Sequence, residues 1–165
     1  MRAKAMVRQD GRASWSTREF SMPSNTIMQH VGCRSDVCVA AGSRSVDGGE
    51  QGMAWRSTDG LSWSPVDLEM PPGIYQSQPG EIVVSDAAFL IMAVSTGRAW
   101  LSTDGHNWRV IRTQPVDLND TSAFHEYMGS AVARGDLVLA IGGKQDGPDQ
   151  GKMAAWLGRF SEMLR

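Results

Sequence analysis

Apolar residues in this chain come in short runs of strand length, each bounded by turn residues. Residues 37–41 read VCVAA, 82–84 IVV, 89–94 FLIMAV and 137–141 LVLAI, with Gly, Asp or Ser at most of their borders. Such runs predict β-strands. No sustained helical periodicity interrupts them, so the chain reads as all-β.

The runs repeat. Residues 54–63 read AWRSTDGLSW and residues 99–108 read AWLSTDGHNW, identical at seven of ten positions and 45 residues apart. A degraded copy, AMVRQDGRASW, covers 5–15, and AAWLGRF at 154–160 keeps the Ala-Trp pair without Asp-Gly. A second element precedes the first. VGCRSDVCVAAG at 31–42 matches AVARGDLVLAIG at 131–142 through Arg34/Arg134, Asp36/Asp136 and Gly42/Gly142, and IVVSDAAFLIMAV at 82–94 fills the slot between them. Each unit therefore predicts two strands around a short turn, a connection, then two strands around Asp-Gly. Fixed-period repeats of this size indicate a propeller or another array.

The STDGxxW segment resembles the Asp-box of the sialidase-like, BNR-repeat β-propellers. Ser57, Asp59, Gly60 and Trp63 match it, as do Ser102, Asp104, Gly105 and Trp108. The first copy keeps Asp10, Gly11 and Trp15 but has Arg8 where the serine belongs, and the Asp-to-Trp spacing is one shorter than the commonest form. The resemblance implies blades of four antiparallel strands, with the box between the third and fourth. It places blades at 27–66, 80–112 and 128–158 of a single partial-ring domain (1–165). Residues 1–20 supply outer strands that complete another blade.

The box residues read as scaffold. Asp accepts hydrogen bonds from turn amides, Gly supplies a positive φ, Ser adds a local bond and Trp closes the hairpin with a large apolar area. All six tryptophans fall in repeat register, which reads as core.

The resemblance also divides the connections between two faces. Short turns and boxes share one face. The other receives segments 20–26, 43–52, 67–79, 113–127 and 144–151, and long loops on a rigid scaffold are where binding usually resides. Candidate ligand-binding residues there are Glu50, Glu69, Tyr75, Asp120, His125, Glu126, Tyr127 and Lys144. His125-Glu126-Tyr127 is the densest group, placed just before the inner strand of the third blade.

Charge narrows the partners. Formal net charge is −2, with Lys and Arg scattered among acids. That argues against nucleic acid or an anionic membrane, since both need a basic face. No apolar stretch approaches the roughly 20 residues of a membrane-spanning helix. The first 15 residues lack the apolar core of a signal peptide. This leaves a cytoplasmic protein, or a secreted one if the sequence continues upstream.

Cys33 and Cys38 flank the predicted 34–37 turn and would sit opposite one another on neighbouring strands. Directly opposed strand positions lie within disulfide reach. A disulfide, two free thiols, and a metal site with His30 all stay open at this stage; no metal or cofactor is expected.

Sialidase chemistry would need an arginine triad and a Tyr/Glu nucleophile pair. The Arg-Ile-Pro signature is absent, and Glu126 and Tyr127 alternate to opposite sides of an extended chain. The leading expectation is a non-catalytic propeller that binds a ligand, carbohydrate or protein, on the long-loop face. One alternative is a glycoside hydrolase or lyase using acids of that face. Another is a structural subunit of a larger assembly. Three blades are too few for a closed ring, which typically has about four to eight. A homodimer closing six blades is the leading expectation, each N-terminal strand completing its partner's last blade; the alternatives are a fragment of a longer propeller or pairing with a different subunit.

Overall fold

A computed structural model of the chain describes residues 2–7, 16–47, 49–69, 79–93, 98–112, 126–145 and 151–165. Strands β1 (Arg2–Val7) and β2 (Ser16–Ser21) form a hairpin. Sheet 1 is an antiparallel meander of β3 (Thr26–Arg34), β4 (Val37–Val46), β5 (Gly49–Ser57) and β6 (Ser64–Asp67). Sheet 2 repeats it with β7 (Pro79–Val84), β8 (Phe89–Ala93), β9 (Arg98–Ser102) and β10 (Arg109–Arg112). Sheet 3 has three strands, β11 (Glu126–Arg134), β12 (Leu137–Gln145) and β13 (Gly151–Arg159), and then α1 (Phe160–Met163). The fold is all-β, with four-stranded antiparallel sheets arranged as part of a propeller.

Two features depart from expectation. First, 43–52 is not a loop. Polar residues carry β4 and β5 on as a paired ribbon to Val46 and Gly49, in the register Ser43↔Gly52, Arg44↔Gln51 and Ser45↔Glu50. Backbone pairing does not require an apolar face, so the alternation signal vanishes there while the ladder continues. Second, the third unit passes from β13 directly into helix α1 after Arg159. The Asp136 carboxylate accepts from Ser161 N at 2.8 Å and Ser161 Oγ at 2.7 Å. The helix is thereby fixed so that Phe160 is buried against sheet 2.

The sheets stack in sequence order. Each has a forward face, turned to the next sheet, and a backward face. Val39, Ala41 and Ala54 of sheet 1 meet Ile82, Phe89, Ile91 and Trp100 of sheet 2. On its other side, Val83, Leu90, Met92 and Leu101 meet Val138, Ala140 and Trp156 of sheet 3. Strand β8 is therefore buried at all five positions, FLIMA, with apolar residues on both faces. Trp55, Trp63, Ala40, Met53 and Met22 form a third cluster on the backward face of sheet 1, where Phe20 of β2 lies 6.5 Å from Trp63.

Inner strands share a bulge. Register shifts fall between Met28 and His30, between Pro79 and Ile82, and between Met128 and Ser130. Gly42 and Gly142 stand opposite the first and third. A Cβ on Gly42 would lie 1.9 Å from the Ile27 carbonyl oxygen. The glycine of the repeated motif is thus set by the close approach that the bulge imposes.

Replacing Leu90, fully buried between sheets 2 and 3, by Ala should cost about 2–5 kcal/mol in chemical denaturation. Leu61→Ala, at an exposed turn position, should stay within about 0.5 kcal/mol. Equal effects of the two substitutions would contradict this packing.

Candidate functional site

The two complete Ser-x-Asp-Gly turns have nearly the same geometry. Ser57 Oγ accepts from the amides of Asp59 (3.3 Å) and Gly60 (2.8 Å) and donates to Asp59 Oδ1 at 3.0 Å. Asp59 Oδ1 then accepts from the amides of Leu61 (2.8 Å) and Ser62 (2.7 Å). In the second turn, Asp104 Oδ1 accepts from His106 N and Asn107 N, both at 2.8 Å, and Oδ2 from Asn107 Nδ2 at 2.7 Å. Gly60 and Gly105 sit at φ 69° and 71°, the left-handed region that glycine occupies without strain. Trp108 closes the turn by donating from Nε1 to Gly105 O at 3.3 Å. The Asp10, Gly11 and Trp15 copy lies outside the described residues.

Amide bonds from Ser62 and Leu61 hold the Asp59 carboxyl well below the usual carboxylate range. For Asp104, desolvation pushes the carboxyl up, but bonds from Asn107 and His106 outweigh it and the net shift is strongly downward. These carboxylates are engaged by the turn amides, which suits a scaffold role and leaves them poor proton donors.

Sequence reasoning missed what joins one sheet to the next at this end. Arg34, at the tip of β3, reaches into sheet 2. Its Nη1 donates to Asp86 O at 2.9 Å, its Nη2 donates to Thr103 O, and its guanidinium lies 5.1 Å from the Phe89 ring centroid. Arg56 Nε donates to Asp104 O at 3.0 Å. A Cβ on Gly105 would lie 2.7 Å from Val39 Cγ2. The second turn is thus packed directly on sheet 1. The repeat of Arg34 as Arg134 was the available signal.

The opposite end of the sheets carries those candidate ligand residues that are described. Glu50 lies on β5, and its Oε2 accepts from Ser43 Oγ at 3.1 Å. Beside it, Arg44 Nη2 donates to Gln51 Oε1 at 2.7 Å. The amide of Ser45 donates to Asn25 O at 2.8 Å, tying the ribbon to the entrance of β3. Glu69 follows β6; its side chain is exposed and its carbonyl accepts from Trp100 Nε1 at 2.9 Å. Glu126 and Lys144 are cross-strand partners in the β11–β12 ladder, with Tyr127 opposite Gly143. Tyr75, Asp120 and His125 lie outside the described residues. Among the described residues, no three of His, Cys, Asp and Glu group as metal ligands would.

Cys33 and Cys38 are opposed in the β3–β4 ladder and joined by a disulfide, with Cα atoms 4.0 Å apart.

No family model matches the chain, and no curated protein matches it. Among solved structures, the chain is similar to the Bombyx mori GH32 beta-fructofuranosidase BmSUC1, with 11% sequence identity and a TM-score of 0.49. That similarity covers 88% of this chain and 37% of the other. The likeness to sialidase-like propellers rests on the turn residues quoted above.

The depressed Asp104 carboxyl gives a pH dependence. A group whose pKa is lower folded than unfolded stabilises the fold above its unfolded value, and that contribution is lost as pH falls through the folded one. Wild-type protein should therefore lose stability as pH drops below 3.8, the ordinary carboxylate value. Asp104→Asn should lower the melting temperature at pH 7 and flatten the acid limb. An unchanged acid limb in thermal melts would contradict the assignment.

Proposed function

We propose that this chain is a sialidase-like, Asp-box propeller protein that binds a ligand without transforming it. The ligand engages the end of the sheets remote from the Ser-x-Asp-Gly turns. Its chemical class is carbohydrate. One observation carries the reading: on that end, a carboxylate is held by a hydroxyl and a guanidinium by a side-chain amide. Ser43 fixes Glu50, and Gln51 fixes Arg44. Sugar hydroxyls both donate and accept, so a fixed set of acceptors and donors suits them. Polar groups ordered before binding cost less to engage.

Titration calorimetry against a panel of neutral and acidic mono- and oligosaccharides tests this. At least one sugar should bind. Glu50→Gln and Arg44→Ala should each weaken its Kd about tenfold, equivalent to about 1.4 kcal/mol, while Asp104→Ala should leave it unchanged. A panel without binders would overturn the carbohydrate reading. Cleavage of a bound oligosaccharide would overturn the non-catalytic one and favour a hydrolase or lyase.

A further inference from the structure

The forward face of sheet 3 is apolar and uncovered. Val132, Leu139 and Leu157 form one cross-strand row, and Ile141 and Ala155 lie beside it in the next. The corresponding row in sheet 2 is Val83, Leu90 and Leu101, with Met92 and Ala99 beside it. That row is the forward face buried by sheet 3, where Leu90 and Leu101 are 0% and 2% exposed. Leu139 and Leu157 are 43% and 74% exposed. Sheet 3 thus presents the surface that, one repeat earlier, is covered by another sheet. Isolated exposed leucines mean little, but a contiguous apolar sheet face marks an interaction surface.

A matching surface lies at the other end of the stack. Ile82, in the row Ile82–Ile91–Trp100, is 9% exposed because sheet 1 covers it. Val31 holds the same place in the row Val31–Ala40–Trp55 and is 64% exposed, while Ala40 and Trp55 are buried with Met22 and Trp63. The forward face of sheet 3 and the exposed inner-strand part of sheet 1's backward face are the two halves of one interface that the chain already makes twice.

Backbone edges agree. In sheets 1 and 2 the fourth strand leads on to the next inner strand, β6 to β7 and β10 to β11. Strand β2 leads to β3 in the same way, which makes it the fourth strand of a sheet preceding sheet 1. Among the described residues β2 pairs only β1, and β13, the outer edge of the three-stranded sheet 3, pairs only β12. The remaining clue is Arg134, the repeat counterpart of Arg34, which in sheet 1 grips carbonyls of the following sheet. Arg134 is exposed, and no sheet follows sheet 3 among the described residues.

We infer that a second copy of this chain docks on the forward face of sheet 3. Strand β2 of the second copy extends β13, and the Val31 face covers Val132, Leu139 and Leu157. The contact is reciprocal about a two-fold axis along the ring, so both copies satisfy both surfaces and the ring closes. Closure also removes the open strand edges that soluble proteins must otherwise protect. This inference is independent of the carbohydrate reading.

Light scattering at micromolar concentration on the full chain is the test. Wild type should give about twice 17.9 kDa. Leu139→Asp and Val31→Lys, both at exposed positions of one chain, should each give the single-chain mass with an unchanged circular dichroism spectrum. An equimolar mixture of the two should recover the doubled mass. One of its interfaces is wholly wild type, and the other sets the new carboxylate against the new ammonium. A wild-type monomer would overturn the inference, because these faces would then await further blades or a different subunit. A dimer insensitive to both substitutions, or a mixture that stays monomeric, would overturn it equally.

Discussion

Burial of each sheet between its neighbours is the constraint on which the rest of this structure depends. A four-stranded meander of this size has little core of its own, and its two apolar faces both need cover. Sheet 2 receives that cover from sheets 1 and 3, which is why β8 carries five apolar residues in a row rather than an alternating pattern. Small residues let the stack close up. Ala41 and Ala54 on the forward face of sheet 1 leave room for Trp100, and Ala140 contributes to the cluster that takes in Phe160.

This constraint also explains how labour is divided between the two ends. At the turn end, Asp59 and Asp104 organise backbone amides, and Arg34 and Arg56 lock the second turn to the preceding sheet. Those groups are already engaged, so substituting them acts on stability first. At the other end the ladders run out into polar ribbon, where Glu50, Arg44 and Gln51 are ordered without being buried in the core. A rigid stack with ordered polar groups on one rim is a scaffold on which recognition can be placed without disturbing the fold.

Much of the scaffold was legible in the sequence because its signals are local. Ser57 and Asp59 bond amides within three residues, and Cys33 and Cys38 flank a two-residue turn. The Trp55–Trp100 repeat marks the third strand of each meander by itself. Other features were hidden for physical reasons. The β4–β5 ribbon is polar on both faces, so 43–52 has no alternation to betray it. Helix α1 is four residues long, too short for a period, and depends on Asp136 from 25 positions away. Arg34 acts on carbonyls 52 and 69 residues distant, which no window along the chain can see. Of the candidate binding residues, Glu50 was placed in a segment that proved to be paired β4–β5 ribbon and Glu69 in one that follows β6, while His125, Tyr75 and Asp120 lie outside the described residues.

Sheet 2 is the part of the chain held from both sides, and native-state hydrogen exchange measures that directly. Amides of β8 should exchange only through global unfolding, with protection equal to or above that of any other strand. Amides of β12, whose sheet is covered on one face within a single chain, should be no better protected. If β8 exchanged faster than β4 or β12 under the same conditions, the sheets would be opening independently, and the mutual burial of neighbouring sheets could not be what holds this fold together.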